Sequence, residues 1–208
     1  MRLIWNLIKI AFWAAVLGFF LKVYGAKWLL TFYLQKELGT RVTVQDVRLD
    51  FVNTQAKFRG LMIQNPLVYP EGVMIAVSDL FLDFEPRSLL KGKPGFSAVD
   101  LNAEEIRVLN VPGNGLNLRA LTILKPQYRD VGKDGIPRYE TDPKADFSTQ
   151  KFYLTAERAT YTDLTGPNPV QKSYALGLRH AEFNDLEGLR GLTETLVRET
   201  LNRIGLRE

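Results

Sequence analysis

The sequence contains no cysteine and only one histidine, and these two absences remove several kinds of chemistry. Without cysteine, the chain can form no disulfide, no thiolate metal site and no cysteine nucleophile. A single imidazole, that of His180, cannot build the two-histidine pattern of the common zinc proteases. The histidine lies on a predicted strand with no catalytic partner nearby in the sequence, which favours a structural role.

Recognisable catalytic motifs are also missing. The chain has no P-loop, no dinucleotide-binding glycine pattern in a strand–helix setting and no G-x-S-x-G nucleophile turn. The adjacent carboxylates Glu104 and Glu105 are predicted to point to opposite faces of a strand, so they could not act together as acid and base. The sequence therefore predicts a protein that is not an enzyme and that uses no cofactor and no metal.

Positive charge is in excess, but not where a nucleic-acid-binding protein would need it. The net charge is +4 and the sequence pI is about 9.2. Residues 1–40 hold five Lys and Arg against one acid, whereas residues 41–208 hold 22 bases and 22 acids. A neutral domain lacks the basic face that would displace counterions from phosphates. We therefore expect no nucleic-acid partner.

The excess charge flanks a long apolar run from Leu3 to Leu21, in which Asn6 and Lys9 are the only strongly polar residues. Nineteen helical residues span roughly 28 Å, close to the hydrocarbon thickness of a bilayer. We expect a transmembrane anchor whose helical extension stops at Gly39, so that residues 1–39 form one segment. A cleaved signal peptide and a buried soluble helix are the alternatives. The sequence after the apolar run has no convincing small-x-small cleavage site, which counts against a signal peptide.

The orientation of the anchor does not follow from its flanking charges. Arg2 and Lys9 precede the apolar run, and four bases follow it by residue 41, which would keep the domain in the cytoplasm. Large domains, however, often cross a membrane regardless of flanking charge. Charge alone leaves the orientation open.

After Gly39 the apolar residues alternate with a period of two, which predicts strands. The first four strands each lose this alternation once near the middle, so we expect them to be bent. The predicted fold is mainly β: a curved antiparallel sheet of about six strands over residues 40–187, with an apolar face. The strands are predicted at residues 42–51, 55–65, 73–84, 97–110, 151–162 and 171–183.

Two further segments do not follow the strand pattern. Residues 125–150 are polar and predict a solvated loop, with a partner-docking loop as the alternative. Residues 188–208 predict an amphipathic helix that packs against the sheet; lying on lipid or joining a partner's helix are the alternatives. In a partner complex, the contact residues of this helix would be Leu192, Leu196 and Leu201.

Short motifs follow the apolar run in a recognisable order: ELGTRVTVQDVRLDF, FRGLMIQNPLVYPEG, FEPRSLLKG, VDLNAEEIRVLN, GNGLNLRAL, YLTAERATYTDLTGP and YALGLRHAEFNDLEGL. Over residues 1–190 they resemble the N-terminal module of AsmA-like bacterial envelope proteins. The resemblance implies a taco-like sheet that hangs from a single-pass inner-membrane helix into the periplasm. It also implies an apolar concave face that binds or guides membrane lipids.

Two hypotheses of function follow. In the first, the protein binds lipid acyl chains on the concave face. In the second, it is a structural or accessory scaffold subunit of a larger membrane complex, or it self-associates. Six strands about 4.8 Å apart give a sheet roughly 29 Å across, too short for one copy to bridge two membranes. The candidate lipid contacts are Val42, Val44, Phe58, Val73, Ile75, Val77, Phe152, Leu154, Leu176 and Leu178.

Overall fold

The structure, a computed structural model, covers most of the chain that follows the apolar run. The predicted anchor at Leu3–Leu21 lies outside the described residues. No helix among the described residues is long and apolar enough to cross a membrane. The described residues are 25–50, 52–89, 95–125, 127–131, 137–140 and 147–206.

The fold is mainly β, as the sequence predicts. In the described part of the chain, eight strands form one open sheet, and two helices of more than one turn flank it: α1 (Ala26–Leu38) and α3 (Gly188–Arg203). A single turn, α2 (Pro86–Leu89), and two short 3₁₀ helices (Asn117–Ala120 and Thr122–Leu124) lie between strands. The strands of the sheet are β1 (Val42–Thr43), β2 (Asp46–Asp50), β3 (Gln55–Gln64), β4 (Val73–Phe84), β5 (Gly95–Val111), β6 (Gly115–Leu116), β9 (Ser148–Asp163) and β10 (Val170–Glu187).

The sheet is mixed, so the prediction of an antiparallel sheet is wrong at one pair of strands. The order is β1-β3-β4-β5-β9-β10, with β2 also beside β3 and β6 beside β5. Strands β5 and β9 run parallel, from Gly95 opposite Ser148 to Asn110 opposite Asp163. A parallel pair needs a crossover of a dozen or more residues, and residues 112–147 supply it. Because this long segment has no strand periodicity, its path was not visible in the sequence.

Part of the predicted polar loop is folded. Within residues 125–150, β7 (Gln127–Val131) and β8 (Pro137–Glu140) pair antiparallel as a two-stranded sheet of their own. The sequence favours a loop here because the segment is polar and lacks an apolar alternation. A separate hairpin does not need that alternation, since neither of its faces has to form part of the main core.

Unpaired extra residues interrupt the long strands at their middles. In β4, Ser78 lies between two residues that pair with consecutive residues of β5, and in β5 Glu104 is extra in the same way. Each extra residue moves the following side chains to the other face, which is why Val77 and Leu80 are both buried although three positions apart. The sequence predicts the slip in β4 at this point. Such bulges bend a strand and increase its local twist.

Both long helices cover the same face of the sheet. Leu34 and Leu38 of α1 and Leu196 and Leu201 of α3 belong to one core with the buried residues of the sheet. Leu196 and Leu201, expected as partner contacts if this helix joined another protein, are therefore buried within this chain, and Leu192 is half-buried against the same core. The packing of α3 on the sheet is the arrangement that the sequence favours.

The motifs on which the resemblance rests fasten loops in this structure. The Asn of the N-P motif accepts a hydrogen bond from the Asn of the G-L-N-L motif, Asn117 Nδ2 to Asn65 Oδ1, at 2.8 Å. Ser88, in the S-L-L motif, accepts a hydrogen bond from the backbone N–H of Gly95 at 2.7 Å. Asp163, in the motif YLTAERATYTDLTGP, accepts a hydrogen bond from the backbone N–H of Thr165 at 3.0 Å. These motifs therefore contribute hydrogen bonds that hold the loops of the fold.

Candidate functional site

An apolar cavity of about 510 Å³ lies between the two long helices and the sheet. The sheet is its floor, and α1 and α3 are its walls. Its volume is within the range of ordinary small-molecule sites, which run from about 300 to 1,000 Å³. Residues of both helices and of the middle of the sheet line it.

The wall from α1 arises from a regular spacing of leucines. Leu30, Leu34 and Leu38 recur every four residues, so they lie on one side of the helix and face the sheet. Leu29 and Tyr33 widen this apolar side and also line the cavity. Gly39 ends the helix with a left-handed backbone (φ +68°) and donates its N–H to the carbonyl of Gln35 at 3.0 Å.

The floor comes from three neighbouring strands, and the bulges determine its extent. In β4, Ile75 lines the cavity before the slip, and Leu80, Leu82 and Phe84 line it after the slip. Without Ser78 the second group would point to the solvent face, because side chains alternate along a strand. The remaining floor residues are Phe58, Leu61 and Ile63 of β3 and Phe96, Val99 and Leu101 of β5.

The wall from α3 presents three leucines and one threonine to the cavity. Leu189, Leu192 and Leu196 line the cavity at three- and four-residue spacing. Thr193 also lines it, but its Oγ1 donates a hydrogen bond to the carbonyl of Leu189 at 2.8 Å. That hydroxyl is therefore satisfied within the helix. None of the described residues that line this cavity is charged, so it suits an apolar ligand and would strongly disfavour a charged one.

As far as the described residues show, the cavity is closed at one end and open at the other. At the closed end, Leu38, Ile63 and Leu121 are buried. At the open end, Leu29 is 59% exposed, and half-buried phenylalanines surround the opening. Their ring centroids lie 5.0 Å apart for Phe84–Phe96 and 5.1 Å apart for Phe96–Phe147. The mouth thus lies where β4 ends, β5 begins and the chain enters α1.

Only part of the predicted lipid-contact set reaches this cavity. Phe58 and Ile75 line it. Val73 lies elsewhere: with Met62, it borders a shallow pocket on the opposite face of the sheet. The reason is an extra residue, Met74, between the positions that pair with Gln64 and Ile63, which reverses the alternation that the sequence suggests. The other seven are buried in the same core beyond the cavity: Val42, Val44, Val77, Phe152, Leu154, Leu176 and Leu178.

Sequence reasoning missed the residues of the helices and of the mouth. Periodicity shows which strand positions share a face, but it does not show which of them a helix covers. Leu30 and Leu34 were visible as an apolar side of α1, and Leu189, Leu192 and Leu196 as an apolar side of α3. Because both helices pack on one face, their apolar sides meet the floor and leave a space between them.

The opposite face of the sheet is charged and paired. Lys57 Nζ lies 2.8 Å from Asp79 Oδ1, and Arg107 Nη2 lies 2.8 Å from Glu105 Oε2. Glu104 and Glu105 border the same shallow pocket, so the prediction that they point to opposite faces is wrong, because Glu104 is the bulged residue. Arg107 lowers the pKa of Glu105, so this carboxyl is held ionised rather than poised as an acid near neutral pH.

This paired face predicts a loss of stability in acid. Lys57 lowers the pKa of Asp79, and Arg107 lowers that of Glu105. A carboxyl with a lowered pKa in the folded state stabilises the fold above its unfolded pKa, and this contribution disappears as pH falls through the folded pKa. We expect the melting temperature of the full-length protein to decrease once the pH is lowered below about 4.5. In Asp79→Asn the decrease in melting temperature on acidification should be smaller than in the wild type. If both proteins lose the same number of degrees over the same pH range, the Lys57–Asp79 pair does not contribute to this acid sensitivity.

No group of acidic or histidine side chains among the described residues could hold a metal ion. His180 lies on the solvent side of β10, where its ring stacks on that of Tyr153 with centroids 4.2 Å apart. Its backbone N–H donates to Thr155 Oγ1 at 3.1 Å, at the second bulge of β10. The contacts of His180 are those of a residue that shapes a bulge.

Comparisons of the chain with protein-family models, with curated proteins and with solved structures find no match. Any assignment of function therefore depends on the cavity and on the sequence motifs.

Proposed function

We propose that this chain is a membrane-anchored, non-catalytic envelope protein of the AsmA-like type, which binds or guides lipid. The observation that supports the proposal is the apolar cavity, which, in the described part of the chain, is closed at one end, open at the other and lined by no charged side chain. An acyl chain matches this shape and chemistry: it is long, apolar and uncharged. The lipid headgroup would stay at the mouth, outside the apolar walls.

The energetics favour reversible holding of lipid over permanent storage. Relative to water, each buried methylene stabilises the bound acyl chain by about 0.8 kcal/mol. Relative to a bilayer the gain is close to zero, because the acyl chain exchanges one apolar surrounding for another. A lipid in the cavity would thus be protected from water and still be able to return to a membrane. This balance is what a protein that receives and passes on lipid requires.

The location is part of the same proposal. The apolar run Leu3–Leu21 would be the single span in the inner membrane, and the sheet would stand in the periplasm. The bulges in β4, β5 and β10 support the taco-like curvature, because bulged strands bend. The helices α1 and α3 would cover the concave side and so reduce an open groove to a cavity.

The proposal predicts that the full-length protein keeps phospholipid after detergent exchange and that a lysine side chain placed across the cavity removes it. Leu192 is half-buried in the α3 wall, where a lysine could reach solvent with its amine while its stem crosses the cavity. We expect native mass spectrometry to show lipid masses on the wild type and on Leu67→Lys, a fully exposed control position. The same lipid masses should be absent from Leu192→Lys.

A second variant keeps the test independent of folding. Leu192→Trp retains an apolar wall but fills part of the cavity, so it should also reduce lipid retention while circular dichroism shows a folded sheet. If both Leu192 variants fold and carry as much lipid as the wild type, the cavity does not hold lipid and the proposal is wrong.

A scaffold subunit is the second candidate function, and the hairpin β7–β8 favours it. This hairpin forms a two-stranded sheet separate from the main sheet. It lies in residues 125–150, for which a partner-docking loop is the alternative interpretation of the sequence. Deleting residues 126–146 should release the protein from a larger assembly on native gels if the hairpin binds a partner. Deletion of α3 would be a poorer test, because α3 is a wall of the cavity. A wild-type protein that already migrates alone would exclude this function.

A further inference from the structure

The exposed side of α1 changes character along its length. In its first two turns, Trp28, Leu29 and Phe32 are 63%, 59% and 55% exposed, and the rings of Trp28 and Phe32 stack with centroids 5.4 Å apart. In its last turns, the exposed side chains are Gln35 and Lys36. The rise along the helix from Trp28 to Lys36, eight residues further on, is about 12 Å. The exposed surface of the helix therefore changes from apolar to polar within its own length.

The sequence before α1 indicates what the exposed apolar side chains at the start of this helix would contact. Trp28 follows the end of the apolar run Leu3–Leu21 by seven residues. Tryptophan is enriched where a membrane meets water, because its ring is apolar and its indole N–H is polar. A helix that follows a membrane span and carries exposed aromatics only near its start fits a position at that boundary.

A second exposed apolar group lies at the same end of the sheet. Val52, in the turn between β2 and β3, is 92% exposed. This turn is held to the end of β4, because the backbone N–H of Phe84 donates to the carbonyl of Thr54 at 2.9 Å. Phe84 is one of the phenylalanines at the mouth of the cavity. The mouth, the turn and the start of α1 thus share one end of the domain.

Leu29 joins the exposed apolar surface to the cavity, because it is 59% exposed and also lines the cavity. The apolar surface is therefore continuous from the outside of α1 to the interior between the helices. An acyl chain that entered from a bilayer at this end would remain in apolar contact throughout.

We infer that the end of the domain that carries Trp28, Leu29, Phe32 and Val52 lies in the headgroup layer of the membrane, so that the mouth of the cavity opens onto the bilayer. This rests on the proposed lipid-binding function and adds the route of entry: lipid passes directly from the membrane to the cavity, without crossing water. The partner of this surface is the lipid bilayer itself.

Fluorescence quenching in vesicles tests the inference. The full-length protein with Trp5→Phe and Trp13→Phe retains Trp28 as its only tryptophan. Reconstituted in phosphatidylcholine vesicles with brominated acyl chains, Trp28 should be quenched at a shallow depth and should be protected from aqueous iodide. A matched reporter adds Trp28→Phe and Leu67→Trp, at a fully exposed site in the loop between β3 and β4, away from the mouth. This reporter should be quenched by iodide and not by bromine.

Two outcomes separate this inference from the proposed function. If iodide quenches Trp28 as strongly as the Leu67→Trp reporter, while the wild type still retains phospholipid, then the seating on the membrane is wrong and lipid binding stands. If Trp28 is quenched by brominated lipid, while no lipid is retained by the isolated protein, the seating stands and the proposed function is wrong.

Discussion

Replacing Asn117 with alanine is expected to destabilise the protein by about 3–5 kcal/mol, because four hydrogen bonds disappear at a fully buried site. Asn117 Oδ1 accepts from the backbone N–H groups of Leu109 and Leu118, both at 2.9 Å. Its Nδ2 donates to Asn65 Oδ1 and to the carbonyl of Arg107, both at 2.8 Å. Alanine would remove all four bonds from a side chain that is fully buried, and the backbone N–H of the buried Leu118 would lose its partner. Chemical unfolding of the full-length protein, followed by circular dichroism, measures the effect.

Asn114→Ala is the matched control for this prediction. The side chain of Asn114 is exposed and makes one hydrogen bond, from Nδ2 to the carbonyl of Val68 at 3.3 Å. Its loss should cost less than about 1 kcal/mol, because water can replace the bond. Equal effects of the two substitutions would contradict the view that Asn117 fastens two loops to β5.

Replacing Gly39 with alanine is expected to have the second large effect, about 2–4 kcal/mol of destabilisation. The backbone there is left-handed (φ +68°), which already disfavours any side chain. An added Cβ would also lie 2.9 Å from Cβ of Thr122, closer than carbon atoms can approach. Because Gly39 ends α1, relief of this clash would shift the helix that forms one wall of the cavity. Unfolding and lipid retention should therefore both change.

The contribution of the clash can be separated from that of the backbone. Gly113 has a similar conformation (φ +76°) with nothing within 4 Å of an added Cβ, so Gly113→Ala should show only the backbone cost, about 1 kcal/mol. In a double-mutant cycle, Thr122→Gly should recover part of the stability lost in Gly39→Ala. No recovery, together with equal costs at Gly39 and Gly113, would show that Thr122 does not press on this turn.

The strands could be predicted from the sequence because their signal is local. Alternation of apolar residues places β4 at Val73–Phe84, as the structure has it, and shows a slip beyond Val77. Burial of one face needs this alternation, so the alternation is written in consecutive residues. The same reasoning holds for α3, whose apolar residues recur at three- and four-residue spacing from Gly188 onward. The mainly β class and these two elements followed from such patterns.

The errors occur where one residue, or a distant segment, changes the outcome. Met74 and Glu104 are single extra residues, and each reverses the alternation that was used to place Val73 and Glu105. The parallel pairing of β5 with β9 depends on the path of the chain between them, which local periodicity does not encode. The positions of the extra residues and the direction of pairing both depend on the neighbouring strand in the sheet. That neighbour is distant in the sequence, so local periodicity does not reveal it.

The chain's own residue pattern was sufficient for the mainly β fold, the apolar face, the bend in β4, the end of α1 at Gly39 and the amphipathic helix α3. Only the tertiary structure brings α1 and α3 onto one face and leaves a space between them, with Leu29 at its mouth. The physical reason is that an apolar stripe records that a side chain will be buried, but not what it will be buried against. A cavity is a relation between surfaces, and it exists only after the surfaces have met.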